Sequence, residues 1–455
     1  YFNEYNLLMG SGGVTYLPLV SGMLAALARR TSELNARIEI QPLIFRPDSP
    51  ENILKQYQNP GIACFSIAMW NEQLSLKVAR QLKQKFPQTL IIFGGASCPH
   101  ESAEYMRENT FIDVCVRAEG EEAFIALLKR VALEETRDFL GVPNVTWRNG
   151  PEIIINSESP QYDRSLDAYP SPYLTGEFEY LLEKEDHGFQ AIIETNRGCP
   201  FLCTFCYWGR GGNNTKYRFR DIDIVAAELE YLAKRKVSYI FNADSNFGMH
   251  RRDWSIAKKL VELKEQYGYP ERFRTCWGKN SSQRIFKIAS LLQFYDLDKG
   301  VTLARQSNSK EVLRNIKRDN IRLEAYAELE NKFNTMQVPI YAELILGLPG
   351  ETYESWVKGI DLMLRTGINN QLFVYLAEVY PNTELNDPDY RTQHGIRTTR
   401  TRLNEIHCAP RERGWITEFQ SVVTETSTMP VEDWKKMAVY ALVVMFLHSM
   451  KAGIY

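Results

Sequence analysis

The sequence predicts an α/β fold in three parts: a doubly wound parallel sheet, a partial barrel of six β/α units, and a small helix-rich C-terminal region. Three observations predict it. In the first third, short apolar runs alternate with helical patterns. Between about residues 140 and 185 that rhythm stops, and turn- and proline-rich sequence takes over. From Gln190 a second strand–helix series begins. The expected boundaries are 1–139, 140–185, 186–384 and 385–455.

In the first series, strands are expected at Asn6–Met9, Ile38–Ile44, Ile62–Ile67, Leu90–Phe93 and Ile112–Arg117. Helices are expected at Leu17–Ala28, Glu51–Tyr57, Gln73–Phe86, Glu101–Glu108 and Glu121–Glu134. Such βαβ units make a parallel sheet, which binds ligands at the carboxyl ends of its strands. Val142–Trp147 and Glu152–Ile155 flank Arg148-Asn149-Gly150 and read as a hairpin with an Asn-Gly turn. Ser159-Pro160 and Tyr169-Pro170-Ser171-Pro172 then mark a linker.

The second series places strands at Gln190–Thr195, Ser238–Asn242, Phe273–Trp277, Val301–Arg305, Ile340–Leu346 and Gln371–Ala377. The helices between them run Ile222–Lys234, Trp254–Tyr267, Gln283–Phe294, Leu323–Phe333 and Tyr353–Arg365. Barrels of this kind place chemistry at the strand C-termini. The tail, with Trp415, Phe419, Trp434 and the apolar run Met437 to Leu447, is expected to close over the barrel mouth.

Composition narrows the function. The chain of 455 residues is 44% hydrophobic and 24% charged, as ordinary globular proteins are. A net charge of −2 gives no reason to expect nucleic acid as a partner. No apolar stretch is long enough for a bilayer span, so no membrane association is expected. No signal-peptide pattern opens the chain, and a start at Tyr1 reads as a segment trimmed from a longer product. Eight cysteines in a chain of this length argue against a disulfide framework and fit a reducing cytoplasm.

Chemistry concentrates in Arg197-Gly198-Cys199-Pro200-Phe201-Leu202-Cys203-Thr204-Phe205-Cys206, a C-x3-C-x2-C spacing. Three thiolates do not complete a four-ligand structural zinc site, and no Cys or His follows until His250. They suit three irons of a [4Fe-4S] cluster, with the fourth iron open. This resembles the signature of radical S-adenosyl-L-methionine (SAM) enzymes, down to Phe205 before the third cysteine. The resemblance implies that SAM chelates the open iron and is cleaved to a 5′-deoxyadenosyl radical. It also implies a reducing partner such as flavodoxin or ferredoxin.

Four N-terminal pieces occur in order before that motif: Tyr16-Leu17-Pro18-Leu19-Val20-Ser21-Gly22-Met23-Leu24, Ser66-Ile67-Ala68-Met69-Trp70-Asn71, Ile91-Ile92-Phe93-Gly94-Gly95 and Arg117-Ala118-Glu119-Gly120-Glu121-Glu122. Together they resemble the Rossmann-like cobalamin-binding domain of B12-dependent radical SAM enzymes. The resemblance implies cobalamin contacts from Tyr16, Leu17, Ser66, Trp70, Asn71, Gly94, Gly95, Glu119 and Gly120. Glycine after a strand permits close backbone approach to a bulky ligand, and an indole can cover a corrin face. The D-x-H-x-x-G sequence that places histidine on cobalt is absent, so no such ligand is expected. Cys64 and Cys115 lie in apolar runs, as buried thiols do. With Cys98 they do not resemble the cluster cysteines of methylthiotransferases.

Around SAM, Gly347 and Gly350 in Ile345-Leu346-Gly347-Leu348-Pro349-Gly350 resemble the segment that approaches the adenine. Asp244, Gln306 and Ser307 sit at strand ends where polar groups bind SAM in this superfamily, although the usual Gly-Gly-Glu triplet is missing before Asp244. Cys276, Lys279 and Asn280 follow the third barrel strand, on the substrate side.

The resemblance implies a C-methyltransferase, in which one SAM methylates cobalamin, a second yields the radical, and a substrate carbon receives the methyl. Its alternative is non-methylating radical chemistry such as ring closure. The substrate class implied is a natural-product intermediate or a peptide. The opening Tyr16-Leu17-Pro18 to Gly22-Met23-Leu24 leans toward the peptide enzymes.

Overall fold

The structure, a computed structural model, describes all residues but 11–12, 159–164, 184–187, 211–214, 279–282, 367, 369–370, 404–407, 410, 413 and 453–455. Two strand systems face each other. The N-terminal sheet runs β1 (Phe2–Asn3), β4 (Ile62–Ser66), β5 (Leu90–Gly94) and β6 (Val114–Val116), all parallel. It ends in the antiparallel pair β7 (Val145–Asn149) and β8 (Glu152–Ile155). Helices cover its faces through single apolar stripes. In Glu72–Lys85 the buried residues Leu74, Val78 and Leu82 recur at helical spacing, and Leu82 is fully buried. Burying one such leucine is worth about 1.5–3 kcal/mol.

The strands of the short segment after β1 go elsewhere. Leu8–Met9 (β2) and Val14–Tyr16 (β3) do not join the N-terminal sheet but pair at the barrel edge, where Val14–Tyr16 runs beside Gly188–Gln190. Ile38–Ile44, expected as a strand, makes only a bridge from Ile44 to Asn3. The hairpin forms, but its two-residue turn is Gly150-Pro151, with Asn149 paired to Glu152. Gly150 carries the positive φ (56°) at the first turn position, so glycine, not Asn149, sets the register.

The barrel strands are β9 (Gly188–Ile193), β12 (Tyr239–Phe247), β13 (Arg272–Trp277), β14 (Val301–Gln306), β15 (Ile340–Leu346) and β16 (Gln371–Leu376), six as expected. Two short strands, β10 (Asn196–Arg197) and β11 (Arg218–Phe219), pair above β9. The barrel divides into β13-β12-β9-β3-β2 and β14-β15-β16. Strand alternation sorts the side chains. In β15 Ile340, Ala342, Leu344 and Leu346 are buried against the helices, which turns Tyr341, Glu343 and Ile345 toward the interior.

The tail corrects an expectation. It holds an antiparallel pair, β17 (Arg397–Arg402) and β18 (Phe419–Glu425), as well as helices. Its apolar helix Val431–Ser449 does not cap the mouth. It lies on the outer wall, where Trp356 Nε1 donates to the Met437 carbonyl at 3.3 Å and Met437 and Ala441 are buried. Trp434 packs there too, whereas Phe419 sits under Arg400 at 4.0 Å. No helix among the described residues is long and apolar enough to cross a membrane.

Candidate active site

The segment carrying the three cysteines leaves the end of β9 and is fastened from β12. Asp244, fully buried, accepts hydrogen bonds from Thr195 N (2.8 Å), Asn196 N (3.0 Å) and the Thr195 hydroxyl. Burial pushes its carboxyl up to about 7, against the hydrogen bonds from Thr195 and Asn196. Its oxygens therefore hold the chain rather than face a ligand, unlike the expected contact with SAM. The neighbours do what Asp244 does not. Ser245 Oγ donates to the Gly198 carbonyl at 2.7 Å, and Asn246 Nδ2 lies 3.3 Å from Cys199 Sγ.

Cys199 and Cys203 are buried and Cys206 is half-buried; none is in a disulfide. Buried Arg318 hydrogen-bonds the Cys203 thiol and lies near Cys206. Among the described residues no three His, Cys, Asp or Glu side chains converge on a single-ion site. A three-thiol donor set, with one sulfur facing an amide and another a guanidinium, fits the cluster its spacing implied. Phe205 packs beside the group formed by Val312, Ile316 and Leu348.

On the SAM side the strand ends differ. Gln306 holds φ +66°, uncommon outside glycine, and its Oε1 is buried without a partner among the described residues. Strain with an unmet acceptor marks a position awaiting a donor. Ser307, by contrast, donates to Glu351 at 2.8 Å. Gly347 and Gly350 have φ of +109° and +93°, but the atoms crowding them are the chain's own. A Cβ would stand 3.0 Å from the Val423 carbonyl and 2.5 Å from Asn315 Nδ2. Arg305 turns outward over the Tyr326 ring.

Inside the barrel, Cys276 is exposed yet surrounded by protein, and that surrounding pushes its thiol up to about 11. Burial raises Glu343 to about 7 despite the nearby cations Arg274 and Arg318. Lys279 and Asn280 lie outside the described residues.

The second site is a cleft at the C-terminal ends of β4, β5 and β6, holding about 970 Å³ of empty space. Ser66, Gly94, Gly95, Glu119 and Gly120 line it, joined by Met23, Leu24, Cys64, Phe65 and Val116. Gly95, at φ +100°, has room for no side chain: a Cβ would lie 2.7 Å from the Ile67 carbonyl. The other expected residues stand apart. Leu17 is fully buried core. Tyr16 meets Tyr239 edge-on at 6.5 Å, on the barrel side. Asn71 is buried, donating to the carbonyls of Tyr5 and Ser66. Trp70 shares a separate small cavity with Trp415.

One wall of the cleft is ionic. Arg197, two residues before Cys199, bonds Glu119 (2.9 Å), Glu121 (2.7 Å) and Glu194 (2.8 Å), and Arg218 takes the other Glu119 oxygen. Arg197, Glu119 and Glu121 are all under 10% exposed. The sequence reading missed Arg197, Glu121, Asn246 and Arg318. Arg197 stood inside the quoted motif, but only the fold shows that it faces the cleft.

Residues 193–363 match the radical SAM superfamily. That segment is a radical SAM domain. The chain is similar to the cobalamin-dependent radical SAM methyltransferase TokK of Streptomyces tokunonensis, with 33% identity over 97% of its length. It is equally similar, at 33% over 97%, to the 2-(S-pantetheinyl)-carbapenam-3-carboxylate methyltransferase of Streptantibioticus cattleyicolor. It spans 64% of the length of both relatives. The radical SAM methyltransferase TsrM of Kitasatospora setae shares the fold, with a TM-score of 0.69 over 97% of this chain and 88% of that one, at 15% identity.

Proposed function

We propose that this protein is a cobalamin-dependent radical SAM methyltransferase that adds a methyl group to an unactivated carbon of a small-molecule natural-product intermediate. The observation that carries the reading is Arg197. It lines the cleft and is two residues from the first cluster cysteine, so the two sites adjoin. On this reading residues 1–139 supply the corrin cleft, 140–185 link, 186–384 hold the cluster and SAM, and 385–455 brace both.

The cleft fits a corrin on the structure's own terms: a glycine cradle at Gly95, apolar walls and a buried acceptor left unmet on Glu121. When bound, the cofactors supply a hydrogen-abstracting radical and a transferable methyl. The chain's residues do the rest. Asp244 and Ser245 fix the cluster loop, Asn246 donates toward the Cys199 sulfur, and Arg318 offsets thiolate charge. Gln306 offers its unmet Oε1 to SAM. Met23, Leu24, Phe65 and Val116 keep water from the cleft. Fixed placement of the partners is the main source of rate in such a reaction.

A small molecule is favoured over a peptide because a relative at 33% identity is named for a carbapenam carboxylate. Arg274 and Glu343 offer that substrate paired polar groups inside the barrel. An oxygen-sensitive cluster and thiols outside any disulfide suit the cytoplasm, where flavodoxin or ferredoxin would supply electrons.

The test is anaerobic reconstitution with iron, sulfide and cobalamin, then SAM, a strong reductant and candidate substrates. Expected are 5′-deoxyadenosine and a product heavier by one methylene per event. Zinc in place of iron and sulfide would overturn the reading. Adenosine formation with an unmethylated, rearranged product would replace it with ring-forming chemistry.

A further inference from the structure

The ionic wall of the cleft carries one acceptor more than the chain uses. Arg197 bonds a different carboxylate through each of its nitrogens: Glu194 from Nε, Glu119 from Nη1 and Glu121 from Nη2. Arg218 occupies the second oxygen of Glu119. Glu121 Oε2 is left over, buried and without a hydrogen-bond partner among the described residues. Its side chain is 5% exposed and lines the cleft. Burial raises the Glu121 carboxyl, but Arg197 outweighs burial and holds it below its ordinary value, so it is ionised. A buried carboxylate oxygen with no donor is costly, and native proteins seldom leave one so.

Charge and shape state what would meet it. Three carboxylates (Glu119, Glu121, Glu194) face two guanidiniums (Arg197, Arg218), leaving one negative charge in excess. Each Arg197 nitrogen already serves a carboxylate, and Nη2 also faces Met23 Sδ at 3.7 Å. The remaining lining, from Met23 and Leu24 to Phe65, Ile92 and Val116, is apolar. The occupant must therefore offer an uncharged N–H at the rim of an apolar body. Cobalamin has that form, a macrocycle rimmed by primary carboxamides.

We propose that Glu121 accepts, on Oε2, an N–H from a peripheral carboxamide of the corrin, and that the negative wall makes the cleft select amidated corrins over corrins bearing free carboxylates. This rests on the cobalamin reading above. A free corrin carboxylate would bring like charge against Glu121 in a dry site, where repulsion is poorly screened.

The test is absorption titration of the full chain with three probes: hydroxocobalamin, cobinamide (amidated rim) and cobyrinic acid (carboxylate rim). The wild-type protein is expected to bind cobinamide roughly ten-fold or more tighter than cobyrinic acid, the scale of a charge-assisted hydrogen bond. Glu121→Gln is expected to weaken cobinamide by about ten-fold and to narrow the preference, with the near-ultraviolet circular dichroism of the protein unchanged. Equal wild-type affinity for the two rims overturns the proposal, whether or not the variant folds. A folded Glu121→Gln protein that keeps the full preference overturns it as well. If hydroxocobalamin fails to bind at all, the cobalamin reading falls instead; binding without rim preference removes only this inference.

Discussion

Asp244 separates two accounts of the same residue. As a SAM ligand it would be dispensable to the folded protein; as the fastener of the cluster loop it would not. Replacing it with alanine strands three donors, Thr195 N, Asn196 N and Thr195 Oγ1, at residues that are 0–2% exposed. Each stranded buried donor costs about 1–3 kcal/mol. Allowing one of them to find water, D244A should lose about 2–6 kcal/mol, a large part of the roughly 5–15 kcal/mol of a typical domain. Because burial already lifts the carboxyl to about 7, a neutral side chain is tolerated, and D244N should cost less than D244A. The assay is urea unfolding of the cluster-free protein under reducing conditions, with iron counted after reconstitution. D244A should unfold at lower urea and retain less iron. An unchanged midpoint with full iron and only SAM affinity lost would refute the structural role and restore the ligand role.

Two further outcomes are expected. Gly95→Ala forces a side chain into φ +100° and onto the Ile67 carbonyl, so it should destabilise the fold by about 1–3 kcal/mol and abolish hydroxocobalamin binding in the same titration; unchanged binding would show that the glycine turn does not shape the cleft. Glu4 is buried, accepts from Ser21 N at 2.7 Å, and burial raises it from 4.5 to about 7. Its folded form thus binds the proton more tightly than the unfolded chain, so its contribution is complete below pH 4.5 and is lost as pH rises through 7. Glu4→Gln should flatten that part of the stability–pH curve in urea melts, and an unaltered slope would contradict the assignment.

The sequence was most legible where period and punctuation coincide. All six barrel strands overlap the runs that announced them, because apolar residues recur in them at strand spacing on the side that faces the helices. The three cysteines were legible as a spacing. Less legible was anything set by pairing across long separations. Val14–Tyr16 lies between the expected strand Asn6–Met9 and the expected helix from Leu17, and only its partner Gly188–Gln190 makes it a strand at the barrel edge. Asp244 and Asn246 lie two residues apart on one strand, yet a register shift after Asn242 leaves one fastening a loop and the other facing sulfur. Gly347 and Gly350 were correctly read as sites of close approach, but sequence cannot say whether a ligand or Val423 and Asn315 does the approaching. Trp70 is the plainest miss. An indole on a loop near a sheet end suits a corrin face, but Asn71 pins the turn so that the ring joins Trp415 instead.

The relation between the two halves follows from where they are tied. Asn382, just beyond β16, donates to the carbonyls of Ala96 and Cys98 and accepts from His100 N, holding the turn that contains Gly95. Glu418 accepts from Gln73 N and Leu74 N, capping a helix of the N-terminal sheet from the far end of the chain. Arg197 ties the cluster loop to Glu119 and Glu121. All three ties come from the barrel or the tail, and two of them reach the turns that follow β5 and β6. Exposed polar pairs would be worth about 0–1 kcal/mol each and would leave the halves free to rock. Glu418, Arg197, Glu119 and Glu121 are instead buried, so breaking a tie leaves charge uncompensated in a dry interface. The distance between the cysteine loop and the cleft is thus set at the interface and not within either half, and substitutions at Asn382 or Glu418, which do not line the cleft, are expected to act on that distance alone.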